Sequence, residues 1–160
     1  MKKILLGLLT IGSIFTVVNA EEEKSDTSVK TYFSYGMDSY LRITPNVGAR
    51  LNYGSFSLDN NVGTSINFTS YEINCSISML YNIIKKDNNN YYIGLKGEIG
   101  KIALQGEKIS KGTLKTKPCL VIGKERKNKF IQVEISPFTK FEHMQLKTTP
   151  SGCISFGHYF

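Results

Sequence analysis

Tryptophan is absent from this 160-residue chain. Beyond residue 18 there is also no apolar run near the roughly 20 residues a helix needs to cross a bilayer. No stretch carries the 3.6-residue spacing of a long amphipathic helix, so a helical bundle is excluded, and any contact with a bilayer must be made through strands. Cysteine is scarce and odd in number. Cys75, Cys119 and Cys153 leave at least one thiol unpaired, or cross-linked to a partner, in an exported chain. With two histidines, no CxxC motif and no His-Cys cluster, the sequence predicts neither a metal site nor a cofactor.

What is present begins with a leader. Lys2 and Lys3 precede the apolar stretch Ile4 to Val18, and Val18-Asn19-Ala20 forms a small-residue cleavage site, which together read as a signal peptide over residues 1–20. No cysteine follows that site, so a lipoprotein anchor is excluded. Removing Lys2 and Lys3 from the 20 basic residues leaves 18 against 13 acidic ones, a net charge of +5. That excess lies in loops and turns rather than on a stripe interleaved with aromatics, which argues against nucleic-acid binding. The remainder is one domain, divided into a flexible leader over 21–29 and a strand-rich body over 30–160.

From Lys30 onward apolar and polar residues alternate with the period of two that marks a half-buried strand. Thr31, Phe33, Tyr35 and Met37 oppose Tyr32, Ser34, Gly36 and Asp38, and Val47, Ala49, Leu51 and Tyr53 oppose Asn46, Gly48, Arg50 and Asn52. A third strand runs from Ser57 to Phe68. The phase then flips at Thr69 and Ser70, as a tight hairpin requires, and Tyr71, Ile73, Cys75, Ile77, Met79 and Tyr81 take over the apolar side. Strands five to eight are predicted at 91–100, 116–125, 130–136 and 152–160. Loops fall at 38–44, 103–115 and 139–151, and short turns at 54–55, 85–90 and 126–128. The phase of the sixth strand is open, because Pro118, Leu120 and Ile122 are no more apolar than Cys119 and Val121.

The fold class this predicts is all-β, an eight-stranded antiparallel up-and-down transmembrane β-barrel. The polar face carries Asn, Ser, Gly and Tyr rather than the crowded Lys and Glu of a water-facing surface, which suits the narrow interior of eight strands. The other face has no formal charge within the strand cores, and a Lys or Arg at the bilayer midplane would cost about 2–4 kcal/mol. Tyr53, Phe68, Tyr71, Tyr81, Tyr91 and Phe160 sit near strand ends, where an interfacial girdle belongs. An even strand number puts both chain ends on the periplasmic side and the long loops outside. A soluble ligand-binding barrel is the alternative that alternation by itself leaves open.

The final stretch, Gly152 to Phe160, alternates through Ile154, Phe156 and His158 to a terminal Phe160. It resembles the carboxy-terminal insertion signal of bacterial outer-membrane barrels. Over residues 30–160 the chain is similar to the small eight-stranded members of that class. The pair Gly48-x-Arg50, the motif Tyr91-Tyr92-x-Gly94, Phe130-x-Gln132-Val133 with Pro137, and the aromatic terminus also resemble small outer-membrane proteins of chlamydia-like bacteria. The resemblance implies a bacterial outer-membrane location. The partners it implies are outer-membrane lipid and lipopolysaccharide, the barrel-assembly machinery and periplasmic chaperones, with the barrel a monomer.

Arg50, Asp59, Glu72, Lys96, Glu98 and Glu134 are predicted to point inward, where isolated charges are very costly, so they should form an ion-paired plug rather than a proton or solute path. Catalysis would need Ser and His at the outer end. His158 lies at the opposite end, His143 lacks the His-x-Ser spacing that resembles lipid A deacylases, and Glu142 beside it reads as a solvated charge. Gly94, Gly97, Gly100 and Lys101 fail as a nucleotide loop, because Leu95 and Ile102 occupy required positions on a strand. The expectation is a non-catalytic surface protein whose interactions, adhesion or lipopolysaccharide contact, are carried by loops 103–115 and 139–151, through Lys108, Lys111, Lys115, Lys140 and Lys147. Deleting Phe160 is expected to lower the yield of heat-modifiable protein in the outer-membrane fraction; undiminished yield would refute the insertion-signal reading.

Overall fold

The computed structural model describes residues 27–86, 89–142 and 150–160. Its elements are β1 (Thr27–Asp38), β2 (Asn46–Tyr53), β3 (Phe56–Ile66), β4 (Ser70–Lys86), β5 (Asn89–Leu104), β6 (Thr113–Arg126), β7 (Lys129–Ser136), the two-residue β8 (Lys140–Phe141) and β9 (Ser151–Tyr159), with a 3-10 turn at Ile109–Lys111. All pairings are antiparallel. Each long strand pairs with its neighbours along the chain, and β9 returns to pair with both β7 and β1, closing a ring of eight. β8 extends the wall past the point where β7 ends, pairing with Lys115 and Thr116 of β6. Closure leaves none of the eight long strands as an edge strand, as a lipid-embedded sheet requires.

Tight turns set the register at the end that also holds the first and last strand termini. Gly54 takes a positive φ of 56° between Tyr53 and its partner Phe56, a conformation that glycine adopts without steric cost. At 127–128 the same problem is met by Lys127, with φ of 51°, between the paired Arg126 and Lys129. The opposite end carries the connections at 39–45, 67–69 and 105–112 and the segment leading into β9. In the first of these, Asp38 accepts the backbone N–H groups of Tyr40 and Arg42, which holds Leu41 at a positive φ of 56° with its side chain in the open.

Several boundaries differ from the sequence reading: β3, predicted to reach Phe68, ends at Ile66 where the chain turns, and elsewhere pairing carries strands beyond the point where their hydrophobic alternation fades. β5 runs on to Leu104 and β6 begins at Thr113, so the predicted loop 103–115 shrinks to 105–112. β4 reaches Lys86 and β5 starts at Asn89, β1 begins at Thr27, and β9 already includes Ser151. The open phase of strand six resolves with Cys119, Val121 and Glu125 inward and Leu120 and Ile122 outward.

The barrel is apolar outside and polar inside. Phe33, Val47, Val62, Ile77, Leu95, Ile122, Val133 and Ile154 are all exposed on the wall, while Ser34, Asn61, Asn74, Ser78, Gln132 and Ser155 are buried within it. A soluble barrel has the reverse arrangement, which excludes that alternative. Lys101 and Lys124, which face outward, lie near strand ends; the Lys101 ammonium reaches the carbonyl of Ser110 and that of Lys124 lies 5.1 Å from the Tyr91 ring centre. Both keep a charged head at the rim while the stem covers the wall. Exposed Tyr53, Phe56, Tyr81, Tyr91 and Phe160 border the terminal end, and Tyr40, Phe68 and Phe138 the loop end.

Three inward aromatics pack the terminal half by one device. Tyr32, Tyr92 and Phe130 stand directly across from Gly48, Gly123 and Gly157 on the adjoining strands, and each ring lies over its glycine. A Cβ at Gly157 would fall 2.0 Å from the Phe130 ring. Tyr32, Phe130 and Tyr159 meet with ring centres 5.1 to 5.8 Å apart. Leu80, which alternation places inward against its hydrophobicity, is 2% exposed and packs on Tyr92 and Val121. Gly157→Val is therefore expected to displace Phe130 and destabilise the barrel by about 1–3 kcal/mol, measured as a lower urea midpoint of the heat-modifiable gel shift.

Candidate functional site

Among the described residues, twelve charged side chains line the interior in ion pairs, six basic and six acidic. The bases are Lys30, Arg42, Arg50, Lys96, Lys115 and Lys117, and the acids Asp38, Asp59, Glu72, Glu98, Glu125 and Glu134. The set sums to zero. That balance is what a low-dielectric interior demands, because each uncompensated charge would carry a desolvation cost of several kcal/mol.

In the terminal half the network centres on Arg50, 1% exposed. Its Nε donates to Asp59 Oδ2 at 2.8 Å, Nη2 lies 2.7 Å from the same oxygen as an ion pair, and Nη1 lies 3.5 Å from Glu125 Oε2. Arg50 and Asp59 are direct cross-strand partners on β2 and β3, so the register builds the pair. The guanidinium carbon lies 4.8, 5.1 and 5.7 Å from the ring centres of Tyr92, Phe130 and Tyr159, within the range of cation–π attraction. Tyr32 donates to Asp59 Oδ1 at 2.6 Å and Tyr159 to Glu125 Oε2 at 3.2 Å, and Lys30 pairs with the other oxygen of Glu125. Rings and ion pairs together fill this half of the lumen.

Toward the loop end a second group forms. Lys96 donates to both oxygens of Glu134 at 2.9 Å and lies 3.5 Å from Glu98. Lys115 and Lys117 each approach Glu98 Oε1 at 3.3 Å, and Lys115 also reaches Glu72 at 2.5 Å. Arg42, from the β1–β2 connection, bridges Asp38 and Glu72 at 2.6 and 2.7 Å and so ties the loop to the interior. The two groups are joined through Gln132, which donates to Glu134 and accepts from the Tyr92 hydroxyl.

The structure thus brings the six predicted interior charges, Arg50, Asp59, Glu72, Lys96, Glu98 and Glu134, into one chain of contacts. It adds Lys30, Asp38, Arg42, Glu125, Lys115 and Lys117. Lys30 and Asp38 fall on the inward phase of the first strand, so alternation was the signal that pointed to them, whereas Lys117 and Glu125 stand on the sixth strand, whose phase alternation left open. Lys115 is a correction: expected in an outer loop, it is 4% exposed on β6, drawn inward by Glu72 and Glu98. Lys108, Lys111 and Lys140 are exposed at the loop end, whereas Lys147 and His143 lie outside the described residues. Ile154, Phe156, His158 and Phe160 face outward, with His158 and Phe160 rings 6.0 Å apart at the terminal end. All three cysteines are free: Cys75 is on the outer wall, Cys119 is buried, and Cys153 lies 3.7 Å from the Thr44 hydroxyl.

These features define a class, the closed eight-stranded antiparallel barrel of the small outer-membrane type, with an apolar wall and an interior sealed by mutually neutralising charges. No family model and no curated protein matches the chain. Among solved structures it is similar to Neisserial surface protein A (NspA), with 12% identity and a TM-score of 0.53, covering 82% of this chain and 94% of that one. The Yersinia pestis outer membrane protein Ail gives 13% identity and a TM-score of 0.45 over 83% of this chain and 100% of that one, and a de novo designed transmembrane barrel gives 14% and 0.45 over 88% and 100%. The likeness to NspA is one of fold.

Arg50→Ala is expected to strand Asp59 among aromatic rings and cost about 3–5 kcal/mol, measured by urea unfolding in lipid vesicles. Replacing both partners, Arg50→Met with Asp59→Leu, should cost clearly less, since Lys30 still neutralises Glu125. Equal losses would show that the pair itself, rather than the orphaned carboxylate, carries the stability.

Proposed function

We propose that this protein is a non-catalytic barrel of the bacterial outer membrane, delivered by a cleaved leader and inserted by the barrel-assembly machinery, whose interactions are made by the loops opposite its termini. The observation that carries this reading is the sealed interior. Its charges neutralise one another and its rings fill the terminal half, while the wall is apolar, so recognition is left to the ends. In this reading the termini and tight turns face the periplasm and the larger connections face outward, as in outer-membrane barrels generally.

At the outward end, Lys108, Lys111 and Lys140 are exposed, and Lys101 stands just below them on the wall. Ammonium groups at that height suit the phosphates of lipopolysaccharide. The exposed apolar side chains of Tyr40, Leu41 and Phe68 on the neighbouring connections suit the acyl region or a host surface. Replacing 105–112 and 142–150 by short Gly-Ser turns is expected to abolish lipopolysaccharide binding or cell adhesion by the reconstituted barrel while leaving its heat-modifiable fold intact. Unchanged binding and adhesion would refute the loop reading, and lipid A acyl release that disappears on replacing His143 would establish an enzyme instead.

A further inference from the structure

One residue of the outer wall does not match its solvent. On β3 the buried Asp59 and Asn61 point into the barrel, so Asn60 between them points outward, on the same face as Leu58 and Val62. Its cross-strand partners there are Ala49 on β2 and Ile77 on β4. Among the described residues Asn60 is the one side-chain amide on the wall between the two aromatic borders, and that amide makes no hydrogen bond to any of them.

Its depth makes that unusual. β3 runs from Phe56 at the terminal border to Ile66 near the loop end. At a rise of about 3.3 Å per residue and a tilt of about 45°, Asn60 stands roughly 9 Å inside the level of Phe56 and roughly 14 Å inside that of Ile66. Hydrocarbon there offers neither donor nor acceptor, and the polar groups of the lipid lie out at the borders. A partner for this amide must therefore be embedded at the same depth and bring both hydrogen-bonding functions. An amide has both, N–H donors and a carbonyl acceptor, so it is its own complement. Ala49 beside it is small enough to let a second wall approach. Lipid tails are as apolar as Leu58, Val62 and Ile77, so these side chains give no preference for protein over lipid, and the amide supplies one.

We propose that β3 is the contact strand of a two-fold homodimer within the membrane, in which the Asn60 amide donates to, and accepts from, the same residue of a second copy inserted in the same direction. The contact is isologous, so it closes at two copies and leaves the other strands to lipid. It puts a dimer in place of the monomer that the family resemblance implies. The inference needs only a lipid-facing wall and does not depend on what the loops bind.

The test is sedimentation equilibrium of the refolded full-length mature barrel in a neutrally buoyant detergent, over a series of protein-to-detergent ratios. The wild type is expected to dimerise reversibly, and Asn60→Leu to weaken the dimer about eightfold, equivalent to about 1.2 kcal/mol for two reciprocal bonds. Asn60→Gln keeps both hydrogen-bonding functions and should associate more tightly than Asn60→Leu. Ala49→Phe, which adds bulk beside an intact amide, should also weaken the dimer, whereas Val133→Ala on β7, across the ring from β3, should leave it unchanged. The heat-modifiable gel shift of each variant reports folding, and Asn60→Leu should retain it in full. A wild type that is monomeric at every ratio overturns the proposal, as do equal dissociation constants for wild type and Asn60→Leu. Loss of the gel shift in Asn60→Leu would do the same, by showing that the amide holds the single barrel together.

Discussion

Seven of the eight long strands turn charged side chains into one narrow space, and their mutual neutralisation is the constraint on which the rest of the barrel depends. A carboxylate or ammonium in that lumen has no bulk water to solvate it, so each must meet a partner from another strand or connection. Glu72 meets Arg42 and Lys115, Glu98 meets Lys96, Lys115 and Lys117, and Arg50 meets Asp59 and Glu125. Apart from Lys96 and Glu98 on one strand, these contacts join different strands and connections, and they close only when the strands are in register. A slip of one residue would send the charges of a strand to lipid and its aliphatic side chains into the ion pairs. Lipid outside and charge inside thus enforce the same alignment.

The aromatic side chains solve a different problem in the same space. Asn and Ser leave room inside the wall, and Tyr32, Tyr92 and Phe130 occupy part of it by lying across glycines on adjoining strands. The rings then surround the Arg50 guanidinium, giving its faces π contacts while its edges meet carboxylates. This packing belongs to the terminal half of the barrel. The loop-end half relies instead on lysines and glutamates in chains, with Arg42 drawing the first connection inward. Among the described residues, the charges outside this network stand at the two rims, and the loop end is also partly apolar.

Much of this was legible in the chain because a strand has a period of two and a barrel has two solvents. Alternation by itself assigned inward and outward faces for the first five strands, and the Asn, Ser, Gly and Tyr of the polar face, with charges of both signs among them, identified it as an interior. Where the two faces are equally apolar the rule has no purchase. Strand six, with Leu120 and Ile122 facing Cys119 and Val121, took its phase only from pairing with β5 and β7. Leu80 is the converse case. Its position in the alternation points inward although its side chain is apolar, and what makes that tolerable is a pocket formed by Tyr92 and Val121 from other strands.

The sequence by itself determined the number of long strands, the side of the wall on which residues of the first five strands stand, and the group of six interior charges that must find partners. These follow from local periodicity and from the cost of a lone charge, neither of which refers to distant residues. Only the tertiary structure decided which charge meets which and how far the strands continue. Lys115 shows why. Nothing near it in the chain distinguishes it from the exposed Lys108 and Lys111, and it is interior because Glu72 of β4 and Glu98 of β5 come within reach once the ring has closed.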